Sequence, residues 1–128
     1  MTVVDEPATR RWVAICRAED LTIDRGVAAL VAGEQVAVFR LSPPLGAVPG
    51  AGGEVFALDH HDPYSGANVL ARGLVGSVGE RPTVASPIYK QRFDLRDGQC
   101  LDGDRHVRAW PVRLVDGRVE VGTRPRGA

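Results

Sequence analysis

Asp62-Pro63-Tyr64-Ser65-Gly66-Ala67 and Ser86-Pro87-Ile88-Tyr89-Lys90-Gln91-Arg92-Phe93-Asp94-Leu95 are the two stretches that decide how this chain folds. The first follows a strand-like run, Glu54-Val55-Phe56-Ala57-Leu58-Asp59. The second is flanked by short strands, Thr83-Val84-Ala85 before it and Gln91 to Leu95 within it, and ends in a turn at Asp97-Gly98. Ser65 and Asn68 read as turn residues that bond the local backbone, and Gly66 as the residue that lets the first loop bend. Neither Ser65 nor Ser86 lies in a G-x-S-x-G elbow or has a His-acid relay, so no catalytic residue is expected here.

Outward from the loops the chain reads as β-structure throughout. Arg11 to Cys16 forms an opening strand, and Gly26 to Ala32 and Gln35 to Leu41, separated by Gly33-Glu34, form a hairpin. Val69-Leu70-Ala71 makes a short helical turn closed by Gly73. Asp97-Gly98, Asp102-Gly103 and Asp116-Gly117 mark tight turns, because the second residue of each takes positive φ without strain. The last joins Val112-Arg113-Leu114-Val115 to Arg118-Val119-Glu120-Val121, which alternate cleanly. No stretch of twelve or more residues combines helical period with freedom from Gly and Pro, so the fold class is all-β: a small antiparallel sandwich or barrel with the two loops on a subdomain at one end. Residues 1–9 read as a flexible tail, 10–122 as the domain and 123–128 as a C-terminal tail. Within the domain, 42–53 is an uncharged Gly/Pro-rich inserted loop with few side-chain hydrogen-bonding groups, a poor ligand lid.

The 128 residues suffice for one domain with a real core. Sixteen basic and sixteen acidic residues cancel, so no overall field draws the chain to nucleic acid or to an anionic membrane. The apolar runs are too short to span a bilayer and the N-terminus carries Asp5 and Glu6 in place of a secretion signal, which makes a cytoplasmic address the expectation. There Cys16 and Cys100 are expected as free thiols.

The two loops resemble those of Rieske domains, C-P-H-x-G-A after a strand and, about twenty residues on, C-P-x-H-G-x-x-F-D-L running into an Asp-Gly or Thr-Gly turn. On that pattern Asp62 and Ser86 stand at the cysteine positions, Tyr64 and Tyr89 at the histidine positions. A Rieske centre takes two thiolates and two imidazoles, whereas these four side chains offer only oxygen. A phenol, with an ordinary pKa of about 10, must also lose its proton before it can bind metal. The resemblance therefore implies the scaffold without the cluster, with aromatic rings filling its volume and hydroxyls bonding across the loops.

Over roughly residues 10 to 122 the chain is similar to the small subunit of assimilatory NAD(P)H-dependent nitrite reductase. The matching segments are Trp12-Val13 with Cys16 and Asp20-Leu21, Asp62 to Gly73, Val84 to Leu101, and Trp110-Pro111-Val112-Arg113, in that order. The insertion at 42–53 departs from the pattern. The resemblance implies an oxidoreductase complex that reduces nitrite to ammonium in nitrate assimilation. Its large subunit would be this chain's partner and would carry the NAD(P)H and FAD sites, a 4Fe-4S cluster and sirohaem. With no cofactor of its own, the chain would not be catalytic in isolation and would stabilise, orient or gate the large subunit. The rival readings are a Rieske-type 2Fe-2S electron-transfer protein, which requires the cluster, and a free-standing binding module.

Other candidate chemistry is thin. His60 and His61 adjoin Asp59 and Asp62, but adjacent side chains at a strand end diverge, so solvated or hydrogen-bonded histidines are expected rather than a metal site. His106, between Arg105 and Arg108, is no better a ligand. The glycines of 46–53 lack the order, the following helix and the lysine of a nucleotide loop. Lys90, Arg92 and Arg96 alternate along the second loop and its strand, forming either a solvated face or a docking patch for an acidic partner surface. Trp110, Tyr64 and Tyr89 could anchor such a patch, with core packing the favoured role for the two tyrosines.

Overall fold

The computed structural model describes residues 11–42 and 54–126. The N-terminal tail and, beyond Ser42, the inserted loop lie outside the described residues. Ten strands follow in chain order. They are β1 (Trp12–Arg17), β2 (Arg25–Val31), β3 (Glu34–Arg40), β4 (Val55–Asp59), β5 (Leu74–Val78), β6 (Arg81–Ala85), β7 (Arg92–Asp94), β8 (Ala109–Trp110), β9 (Val112–Val115) and β10 (Arg118–Gly122). The only helical elements among the described residues are two single 3-10 turns, Ala18–Asp20 and Leu70–Arg72, so the all-β expectation holds. None of the described helices is long and apolar enough to cross a membrane.

The strands form three antiparallel sheets, ordered β1-β10-β9, β2-β3-β4-β8 and β5-β6-β7. The middle sheet is covered on both sides, and the sequence of β3 shows why. Val36 and Val38 point into an apolar cluster with Leu21, Val31, Ala57, Trp110, Val119 and Val121. The alternate residues Ala37 and Phe39 point into a second cluster with Leu58, Leu70, Val84, Phe93, Leu95 and Cys100. A strand with both faces covered reads as a near-continuous apolar run, which is how Val36-Ala37-Val38-Phe39 reads. In β4, Val55 and Ala57 alternate with Phe56 and Leu58 between the same two clusters. The middle sheet therefore carries the β1-β10-β9 sheet on one face and the β5-β6-β7 subdomain on the other.

Three local expectations are corrected. The β2-β3 turn falls on Ala32-Gly33, with φ of 52° and 83°, and Glu34 pairs with Val31. The turn keeps the two-residue length read from the sequence but lies one residue earlier, because Ala32 accepts a left-handed conformation. Asp102-Gly103 is not a positive-φ turn. Instead, the Asp102 carboxylate takes both the Nε and an Nη of Arg92, at 2.9 and 2.6 Å, and a side chain at Gly103 would run into the Tyr64 hydroxyl. Strand β5 was not anticipated; Gly76 and Ser77 at its centre weaken the strand signal. It pairs with β6 through a turn at Gly79-Glu80 and completes the subdomain sheet. Ordered contacts also pass Gly122: the Thr123 amide donates to Arg11 O, and the Arg126 guanidinium to Arg96 O at 2.8 Å.

Candidate functional site

Both loops are built on one hydrogen-bond frame. In the first, the Asp62 amide donates to Ala67 O (2.8 Å), the Gly66 amide to Asp62 O (2.8 Å) and the Tyr64 amide to Asp62 Oδ1 (2.9 Å). In the second, the Ser86 amide donates to Gln91 O (2.9 Å), the Lys90 amide to Ser86 O (3.0 Å) and the Ile88 amide to Ser86 Oγ (3.2 Å). The lead residue of each loop is thus a short side chain that caps its own turn. The fifth residue closes the turn in the left-handed region, Gly66 at φ 78° and Lys90 at φ 66°.

A third copy follows directly. Asp94 N–H donates to Gln99 O, Gly98 N–H to Asp94 O and Arg96 N–H to Asp94 Oδ1, each at 2.8 Å, with Gly98 at φ 81°. Sequence reading found only its Asp-Gly pair. The available signal was the recurrence of Asp or Ser at the first position and Gly or Lys at the fifth in 62–67, 86–91 and 94–99. A side chain at Gly98 would overlap the Val107 carbonyl, while the space around Gly66 is open.

The two lead residues meet. Ser86 Oγ donates to Asp62 Oδ2 at 2.6 Å, both side chains being buried. The same oxygen accepts from Ser65 Oγ at 2.9 Å, and Ser65 Oγ in turn accepts the Ala67 amide at 3.2 Å. Burial alone would raise the Asp62 pKa, but the bonds from Ser86, Tyr64 and Ser65 outweigh it and hold the carboxyl below its ordinary value. Asp62 is therefore an anion in the clamp between the loops.

The tyrosines part company. Tyr64 is half-buried, its ring 6.1 Å from that of Phe93, and its hydroxyl accepts the Arg105 amide at 2.9 Å. Burial, together with neighbouring Cys100 and Asp104, raises its pKa against the lowering effect of that amide, so the phenol stays protonated. Tyr89 was expected in the core and is instead 61% exposed. It sits one place later in its loop than Tyr64 does, and the same frame turns it outward. No hydroxyl of either ring bonds across the loops; Ser86 does so instead.

The remaining candidates fall out similarly. His60 is buried, its Nδ1 accepting the Ala71 amide at 3.1 Å, and burial with nearby Arg72 lowers its pKa. His61 turns outward to Asn68 Oδ1 at 3.0 Å, so the pair diverges as expected. Arg92 is held by Asp102, and Arg96 by Asp94 at 3.0 Å, so two charges of the basic strip are already matched by the chain's own carboxylates. Trp110 is 2% exposed. Its indole donates to Asp59 Oδ1 at 2.9 Å, and Arg108 lies 5.4 Å over its ring, so this candidate interface residue belongs to the core. Cys16 and Cys100 are free thiols belonging to different apolar clusters. Among the described residues, no three His, Cys, Asp or Glu side chains converge as a metal site.

Three antiparallel sheets, with one loop leaving β4 and its partner joining β6 to β7, define a Rieske-type domain. A family model described as a Rieske-like 2Fe-2S domain matches residues 11–122, and the chain belongs to this family. Within it, the chain is 39% identical to the Salmonella typhimurium NADH nitrite reductase small subunit, over 87% of this chain and 96% of that one. A crystal structure of a candidate NADH-dependent nitrite reductase small subunit from Mycobacterium tuberculosis has a TM-score of 0.79 at 41% identity, covering 88% of this chain and 95% of that one. The chain is also 46% identical to part of the Klebsiella oxytoca NAD(P)H nitrite reductase large subunit, covering 91% of this chain but spanning only 12% of the length of that relative. It is thus a homologue of nitrite reductase small subunits. The side chains at its two loops do not fit the family's cluster. The donors are a carboxylate bonded to a serine hydroxyl, a protonated phenol bonded to a backbone amide, and a solvent-facing phenol, where thiolates and imidazoles are needed.

Two predictions follow from this geometry. Gly66→Ala should cost about 1 kcal/mol, for the left-handed conformation alone, and Gly98→Ala about 3 kcal/mol or more, because it adds overlap with backbone. Lys90→Gly should leave stability unchanged or raise it by up to about 1 kcal/mol; urea unfolding of the three variants ranks them. A group with a depressed carboxyl pKa contributes stability above its unfolded value that is lost as pH falls through the folded one. Ser86→Ala should therefore move the Asp62 pKa upward, and carboxyl NMR titration of both proteins reads the shift.

Proposed function

We propose that this chain is the cluster-free small subunit of an NAD(P)H-dependent nitrite reductase and supports a large subunit in reducing nitrite to ammonium. The observation that carries the cluster-free part is the 2.6 Å bond from Ser86 Oγ to Asp62 Oδ2. In a Rieske domain, the leading residues of the two loops are joined through the metal centre. Here the corresponding side chains are joined to each other, with the carboxylate charge balanced by three hydrogen-bond donors, Ser86, Ser65 and the Tyr64 amide. Assembly with a large subunit is supported by the near full-length likeness to small subunits and by the match within a large subunit.

On this reading the NAD(P)H, FAD, 4Fe-4S and sirohaem chemistry belongs to the large subunit. The small subunit contributes a rigid surface: the covered middle sheet fixes the subdomain, and the capped loops hold their tips in one conformation. A cytoplasmic address goes with this reading.

The test is purification of the tagged chain under anaerobic conditions from cells growing on nitrite. The expected result is co-elution with a sirohaem- and flavin-containing partner that reduces nitrite with NAD(P)H, and a separated small subunit that is colourless and free of iron. Iron and labile sulfide at about two each per separated chain would overturn the cluster-free reading. A chain recovered without that partner would overturn the subunit reading.

A further inference from the structure

We propose that the tip of the second loop, Pro87 to Lys90, together with Leu74, is the surface on which this chain docks to the large subunit, and that it fits an apolar recess edged by carboxylate. The inference rests on the small-subunit reading above and names the face that reading leaves open.

The three copies of the loop frame make the tip stand out. In the first copy Pro63, Tyr64 and Ser65 are half-buried, and in the third Leu95 and Gly98 are buried. In the second, Pro87, Ile88, Tyr89 and Lys90 are all exposed in succession, Ile88 at 42% and Tyr89 at 61%. Leu74, 78% exposed, pairs in register with Ala85, the residue that enters this loop. The third copy also exposes two tip residues, but these are the charged Arg96 and Asp97; only the second copy exposes large apolar side chains at its tip, which have the composition of an interface centre.

Lys90 gives the partner's charge. The frame requires a left-handed residue at the fifth position, which the sister loops fill with Gly66 and Gly98. A lysine there lacks the conformational freedom of glycine, and the turn itself makes no use of its side chain, which is left free to meet a partner. Among the described residues its ammonium has no ion pair, whereas Arg92 at the start of β7 and Arg96 just after it are neutralised by Asp102 and Asp94. The uncompensated charge of the strip is thus reduced to one cation beside an exposed aromatic ring, which calls for a carboxylate at the rim of an apolar recess. A second copy of this chain is a poor occupant, since a two-fold pairing of tips sets Lys90 against Lys90. The large subunit is the occupant chosen because, in the Klebsiella oxytoca relative, the matching segment lies within a large subunit's own chain.

The experiment measures binding of small-subunit variants to the cofactor-loaded large subunit by surface plasmon resonance, with folding checked by circular dichroism. Tyr89→Glu should weaken binding about 30-fold or more, as a charge set in an interface centre does, and Lys90→Gly about tenfold while its thermal midpoint holds or rises. Leu114→Glu, 44% exposed on β9 in the sheet that covers the opposite face of the middle sheet, should bind as the unaltered chain does. If the unaltered chain binds and both tip variants bind equally well, the surface is wrong and the subunit reading stands. If the unaltered chain itself does not bind, the subunit reading fails and the surface falls with it.

Discussion

A buried carboxylate shared between two loops is the interaction on which the rest of this subdomain depends. Asp62 caps its own turn, takes the Ser65 hydroxyl and accepts the Ser86 hydroxyl from the opposite loop at 2.6 Å. A charge placed there without partners would be costly, and its depressed pKa indicates that the donors more than offset the burial. Ser86 spends its hydroxyl hydrogen on Asp62 while its lone pair caps Ile88. One oxygen therefore couples the conformation of both loops. The loops are joined directly through these hydrogen bonds, and the residues around them are held in the same way. His60, a strand end away, is locked by the Ala71 amide, and Tyr64 lies against Phe93 with its hydroxyl on the Arg105 amide.

The layered core explains why such a clamp can be rigid. Because β3 and β4 are packed on both faces, the strand that delivers Asp62 cannot tilt without disturbing two apolar clusters at once. The Leu70–Arg72 turn extends the same restraint: Leu70 and Ala71 are buried beneath the middle sheet, and Gly73 passes so close to the Ala85 carbonyl and Val84 that no side chain would fit. The second loop is then fixed from both ends, by β6 and by β7. Its tip is the part left facing solvent.

Much of this was legible in the sequence, and the parts that were not have physical reasons. The two loops, their lead residues Asp62 and Ser86, and the all-β character followed from motif order and turn chemistry. The direction of Tyr89 did not, because a one-place offset within a common frame sends a side chain to opposite sides of the loop, and only the hydrogen bonds define that frame. Arg92, Arg96 and Trp110 looked like a surface patch because charge alternation and aromatic content are visible in a sequence while their partners are not. Asp102 is ten residues from Arg92, and Asp59 lies on a strand that meets Trp110 only through the β4-β8 pairing. The third loop copy was hidden by Phe93 and Leu95 on either side of its lead residue, which made it look like the end of a strand.

The most direct test of the clamp is a double-mutant cycle on Asp62→Ala and Ser86→Ala, with unfolding free energies measured in urea at pH 7. Each single change also removes a cap, and the cycle subtracts those local losses. A coupling energy of about 1.5–3 kcal/mol between the two positions is the predicted result for a buried hydrogen bond to a charged group. Additive effects, with coupling near zero, would mean that the loops are held together by something other than this bond and would contradict the account.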